Sequence, residues 1–162
     1  MNKKNKLNIS YFYYFLATGF GFGKIFIFPG TIGTILSIFI WSIITIVLPK
    51  NYYWIFIIIT FLIGIFICNK TVQITKKHDD KCIIWDEFVG MWLILIMTSN
   101  FINYKIIITS IIIFRILDIF KPHPIKWIEK NIKGGLGIML DDIVASSITI
   151  ILINLIHMIK IF

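Results

Sequence analysis

The chain has 162 residues, 58% of them hydrophobic, with a mean hydropathy of +0.90 and a formal charge of +8. That apolar fraction lies outside the soluble range and indicates an integral membrane protein, at a length that suits one domain over residues 1–162. The 16 basic residues, only one of them Arg, form no patch interleaved with stacking aromatics, which excludes nucleic acid as partner; lysines facing anionic membrane lipids account for the surplus.

Residues 1–10 are a polar, basic lead carrying Lys3, Lys4 and Lys6, without the small-residue cleavage site of a removable signal peptide. Tyr11 to Phe20 is apolar and aromatic but too short to span as a helix, and its Tyr and Phe suit the membrane interface. The glycine-rich stretches Gly19 to Lys24 and Phe28 to Thr34 read as irregular backbone rather than helix interior. The first resembles a phosphate loop, but Ile25 stands where the hydroxyl should be; an interfacial loop with backbone N–H groups turned to a phosphate and plain backbone flexibility are the two readings.

Thr31 to Leu48 is the first spanning candidate, with Thr31 or Thr34 as N-cap. After the Pro49-Lys50-Asn51 turn, Tyr52 to Cys68 is the second. Asn69 to Ile84 is polar and basic. Phe88 to Thr98 and Ile106 to Leu117 form a short hairpin; extending the first back to Asp86 and the second on to Asp118 puts three acids at one end. Residues 119–137 are polar, and Ile143 to Phe162 is the third strong span. The fold expected is therefore all-α: a membrane helical bundle with short or interfacial helices and a polar site at one face.

Lysine placement orients it. The N-terminus, the glycine loop, 69–87 and 115–137 carry 13 of the 16 basic residues, leaving Lys50, Lys105 and Lys160 opposite. The richer side is the cytoplasmic one. All eight acids fall on that side as well.

Asp86, Glu87, Asp118, Asp141 and Asp142 supply the hard oxygen donors that Mg²⁺ prefers, and no His–Cys set competes. Helix capping is the plain alternative for four of them, but Asp118 lies at a helix C-terminal end, where an acid is disfavoured. Arg115, Asp118 and Lys121 share one helical face. Arg115 is either a salt-bridge partner of Asp118 or a planar fork gripping phosphate, a use that explains one Arg in a Lys-dominated chain. Pro122 and Pro124 end that helix and hold Lys121 at its tip. Cys68 and Cys82 read as reduced structural thiols, His78 as a solvated-loop residue beside Asp79 and Asp80, and His157 as structural.

Taken together these residues resemble the phosphatidylglycerophosphatase A family. The resemblance rests on Gly21-x-Gly23, Pro29-Gly30-Thr31-x-Gly33-Thr34, Trp85-Asp86-Glu87-x-x-Gly90-Met91-Trp92, Phe114-Arg115-x-x-Asp118-x-x-Lys121-Pro122-x-Pro124 and Gly134-Gly135-x-Gly137-Ile138-Met139-x-Asp141-Asp142, in order over roughly residues 12–150. It implies an enzyme that takes the terminal phosphate from phosphatidylglycerophosphate with Mg²⁺. The five acids and Arg115 would be catalytic, the acids the metal ligands, and Arg115, Lys121, Gly21, Gly23 and Thr31 the substrate contacts. Two residues depart from the family pattern: Ser146, where Gly is common, and Lys24 after the glycines. A transporter or channel subunit passing cations is the rival; it would carry ionisable residues at mid-span, whereas here they gather at span ends. A CDP-alcohol phosphotransferase is excluded by the missing DGxxAR pattern. Oligomeric state is not legible.

Overall fold

The structure, a computed structural model, describes residues 11–25, 27–77 and 80–159. The expectations placed on the basic lead, His78, Asp79 and Lys160 fall outside those residues. Residues 11–17 are helical (α1) and run into a turn at Gly19, Phe20 and Gly21, all with positive φ. A single helical turn, α2 (Phe22–Ile25), follows. Then come α3 (Pro29–Val47), a 3-10 turn at Lys50–Tyr52, and α4 (Tyr53–Thr75). The second half comprises α5 (Trp85–Met97), α6 (Tyr104–Phe120), α7 (Ile125–Asn131) and α8 (Gly134–Met158). No strand occurs among the described residues.

Three of these helices, α3, Lys50–Thr75 and α8, are long and apolar enough to cross a bilayer. At 13 and 17 residues, α5 and α6 fall below that length. The chain runs as antiparallel neighbours: α3 away from the end where α5 begins, α4 back, α5 away, α6 back, α8 away. Helix α8 is the hub, packed against α4, α5, α6 and α7, and α5 is wedged between α3, α4 and α8.

Several boundaries differ from the sequence reading. Pro29 to Thr34 is not irregular: Pro29 opens α3, where its missing N–H costs nothing. Phe28 is therefore the cap position, with no side-chain cap, and Thr34 lies inside the helix donating to the Gly30 carbonyl at 3.0 Å. Helix α4 continues beyond Cys68 to Thr75, because polar residues at a span's end stay helical while their side chains reach water. The span expected from Ile143 instead starts at Gly134. A short helix, α7, sits within 119–137, its Ile125 and Ile128 buried against the bundle.

The core explains the register. Trp41, Tyr53, Phe56, Trp92 and Phe88 form a chain of ring contacts across α3, α4 and α5. The indoles do not bury an unmet donor: Trp92 Nε1 donates to the Ser37 carbonyl at 2.8 Å and Trp85 Nε1 to that of Thr60 at 3.1 Å. Where helices cross, small residues set the approach. A Cβ on Gly64 would strike Met139 and Trp85, and one on Gly135 would strike the Ile65 carbonyl. Ser146 fits the same scheme, with its hydroxyl donated to the Asp142 carbonyl at 2.7 Å and Gly90 opposite it. The larger residue is thus accommodated by a glycine across the interface. Cys68 and Cys82 are both free, and His157 stacks on Phe101 at 4.1 Å.

A carboxylate-lined candidate active site

Five helix ends meet at one face: the starts of α3 and α5, the end of α6, α7, and the first turns of α8. Between them lies a cleft of about 490 Å³. The segment before α5 is fixed by Ile84 N–H donating to the Ala17 carbonyl at 3.0 Å, which aims the first turn of α5 into the cleft. Asp86 and Glu87 sit in that turn, where the helix dipole favours negative charge. Glu87 extends toward α3. A Cβ on Gly30 would collide with Glu87 Oε1 and the Arg115 guanidinium, and one on Gly33 with Glu87 Oε2. These glycines are thus spaces reserved for the site.

From α6, Arg115 Nη1 donates to Glu87 Oε1 at 3.0 Å and to Asp118 Oδ2 at 2.6 Å. That pairing answers the unfavourable placement of Asp118 at a helix C-terminal end. Lys121, in the left-handed cap after α6, donates to Asp141 Oδ2 at 2.7 Å and to Glu129 Oε1 of α7 at 3.0 Å. Burial alone would lower the Lys121 pKa, but Asp141 and Glu129 carry it upward. Burial, then Asp141 and Asp118, push the Asp86 carboxyl up to about 8.

All five sequence-selected acids, with Arg115 and Lys121, line this cleft, and so does Thr31. Gly21 and Gly23 do not. Gly21, at φ +91°, shapes the turn after α1, and Gly23 packs α2 against the Cys82 carbonyl, so a Cβ there would strike it. Lys24, the other departure from the family pattern, lies over the Tyr14 ring at 3.8 Å. The helix contributing to the cleft wall is the start of α3, through Pro29, Gly30 and Thr31. Asp141 and Asp142 are two turns inside α8, not at its cap, so capping does not account for them.

The sequence reading passed over three groups. Asp80 is buried at the cleft, receiving the Cys82 N–H at 3.2 Å, rather than solvated beside His78. Lys81 and Glu129 line it as well. Glu129 follows Lys121 by eight residues across two prolines, a spacing that carries no periodic signal.

The wall thus holds seven carboxyl groups and three cationic side chains. Four of the acids are partnered by Arg115 or Lys121, but Asp86 and Asp142 have no cationic partner among the described residues. Among the described residues, Asp86 Oδ1, Glu87 Oε2 and Asp142 Oδ2 find no hydrogen-bond partner and are buried. Among the described residues no three His, Cys, Asp or Glu side chains stand together so as to hold a metal ion, which leaves at most two carboxylates as its protein ligands. An all-oxygen set with buried, unmet lone pairs suits a hard cation that keeps most of its waters, as Mg²⁺ does.

The model of the family Phosphatidylglycerophosphatase A matches residues 15–157. The chain belongs to the phosphatidylglycerophosphatase A family. Phosphatidylglycerophosphatase A of Escherichia coli (strain K12) is 40% identical over 147 residues, covering 90% of this chain and 84% of the relative. Its namesake in Haemophilus influenzae is 33% identical over 94% of this chain and 93% of its own length. A Bacteroides thetaiotaomicron protein, provisionally named a phosphatidylinositol-3-phosphatase, is 35% identical over 85% of this chain and 89% of its own length. No solved structure matches. Family membership and three bilayer-length helices make this a membrane protein of a phosphatase family.

Proposed function

We propose that the protein hydrolyses the terminal phosphomonoester of phosphatidylglycerophosphate, yielding phosphatidylglycerol and inorganic phosphate, with Mg²⁺ and at the cytoplasmic face of a bacterial inner membrane. The observation that carries this reading is the charge imbalance of the cleft. Seven carboxyl groups against three cations, two of those cations already paired with acids of the wall, leave an anionic phosphate ester too few cationic partners. A phosphatase built on such a wall needs a divalent cation between wall and substrate.

Asp86 and Asp142 would hold the ion, since among the described residues Asp86 Oδ1 and Asp142 Oδ2 are buried without a partner. When bound, Mg²⁺ supplies charge neutralisation at phosphate oxygens and a more acidic bound water. The remaining residues position the substrate. Glu87 and Asp118 fix one corner of the Arg115 guanidinium through Nη1, and among the described residues no hydrogen bond engages Nη2, so that side of the fork stays free for a phosphate oxygen. Asp141 and Glu129 aim Lys121 in the same way. Water attacks phosphorus, the ester P–O bond breaks, and the leaving glycerol oxygen takes a proton.

Passage of cations, the rival reading, gains nothing from the deeper placement of Asp141 and Asp142, because both open on this same cleft. Phosphate release from phosphatidylglycerophosphate, phosphatidylinositol 3-phosphate and phosphatidic acid, compared on the purified protein, tests the substrate. The first should be hydrolysed with the highest kcat/KM. Preference for the inositol lipid would replace the reading with the one carried by the Bacteroides relative's name.

A further inference from the structure

The cleft is not rimmed by polar groups alone. Just before α3, Ile27 and Phe28 line it while 90% and 72% exposed. Across from them Ile119, in the last turn of α6, lines it at 66% exposed, and its neighbour Phe120 stands 76% exposed. Exposed apolar side chains are expected on a membrane helix, and Ile46, Val47 and Ile58 are of that kind. The rim residues differ because three of the four share a wall with Arg115 and Asp118.

The start of α3 and the end of α6 are in contact around that Arg: Gly30 leaves room for the guanidinium and nothing larger. Between the two helices the wall passes from little-exposed charged side chains (Glu87, Arg115 and Asp118, at 9%, 16% and 17%) to Ile119, Phe28 and Ile27 at 66% to 90%. Such a gradient has the polarity order of one amphiphile, with a phosphate inside and hydrocarbon outside. A water-soluble ester would leave the outer part uncovered. Covering it with a second copy of the chain would close the cleft.

We propose that the gap between the start of α3 and the end of α6 is a lateral portal. The substrate lipid enters from the bilayer through it, phosphate first, and Ile27, Phe28, Ile119 and Phe120 clasp the glycerol-proximal part of its acyl chains. This rests on the lipid-phosphatase reading above and assigns the residues that distinguish a lipid from its bare headgroup.

The test compares kcat/KM for long-chain phosphatidylglycerophosphate in mixed detergent micelles with that for its deacylated headgroup, glycerophosphoglycerophosphate. The proteins are the wild type, Ile27→Ser, the double variant Phe28→Ser/Ile119→Ser, and Phe28→Leu. The wild type should favour the lipid. The Ser variants should lose about tenfold or more of that preference, the size expected for uncovering one or two large apolar contacts. Phe28→Leu should keep it. An unchanged preference in the Ser variants overturns the portal. So does a parallel fall on both substrates in Ile27→Ser, whose exposed side chain has no packing role to lose. A shift in oligomeric state of the Ser variants in detergent would assign the patch to a second copy instead. Wild-type protein inert on both substrates would defeat the activity reading itself, whereas release with preference for the headgroup would defeat the portal alone.

Discussion

Arg115 is where the two sequence readings of one residue converge. It is the salt-bridge partner of Asp118 and of Glu87, yet both bonds use Nη1, leaving other donors of the fork unspent. Arg115→Lys would keep the charge and could satisfy one acid, but not hold two acids and a phosphate oxygen together. We expect a loss of about 1–3 kcal/mol in transition-state binding, read as a roughly five- to 150-fold lower kcat/KM. An unchanged value would reduce Arg115 to a structural ion pair. Asp142 offers the complementary case. Were it a helix cap, Asn would replace it almost silently. Two turns inside α8 with an unmet buried oxygen, Asp142→Asn should lower activity sharply while the metal-free protein melts no lower than the wild type. Mg²⁺ should raise the wild-type melting temperature and raise it less in the variant. Acids adjacent to apolar runs were legible because charge there is costly; Asp80 and Glu129 were not, since their partners are distant in sequence or unmarked by any period.

At the level of elements, the sequence located the helices better than it located their ends. Apolar runs identify spans, but a helix continues into polar sequence as long as its backbone bonds are met and its side chains reach water. That is why α4 outlasts Cys68 and why α8 begins at Gly134. The glycine and proline of Pro29 to Thr34 misled for a different reason. Proline is a breaker inside a helix and a favourable first residue, and glycine here answers to a neighbouring carboxylate rather than to a turn. Gly33→Ala tests this directly. Its Cβ would land on Glu87, so either α3 or the carboxylate must move, at about 1–3 kcal/mol. Activity should fall at least about tenfold, because small misplacements at a reacting centre are costly. Ser147→Ala, at an exposed position of α8, should leave it unchanged. Equal activity in the two would mean that the start of α3 does not shape the site.

For the whole molecule, one arrangement accounts for charge, topology and site together. The ends of α4 and α6 and the starts of α3, α5 and α8 share the cleft face, while Lys50 and Lys105 lie at the opposite ends of their helices. On the lysine bias we propose that the cleft faces the cytoplasm. In a Cys82→Ser background, Lys50→Cys should react with a membrane-impermeant thiol reagent applied from outside, and Lys77→Cys and Lys130→Cys only after permeabilisation. Labelling at 77 from outside would invert the molecule. The central claim is narrower: a carboxylate cleft that becomes a phosphatase only with a divalent cation. Phosphate release from phosphatidylglycerophosphate by purified protein, with Mg²⁺ and with Mg²⁺ removed by chelator, tests it most directly. The account predicts release that requires Mg²⁺, returns on adding it back, and is largely lost in Asp86→Asn and Asp142→Asn. Release that persists in chelator, or survives in both variants, would contradict it.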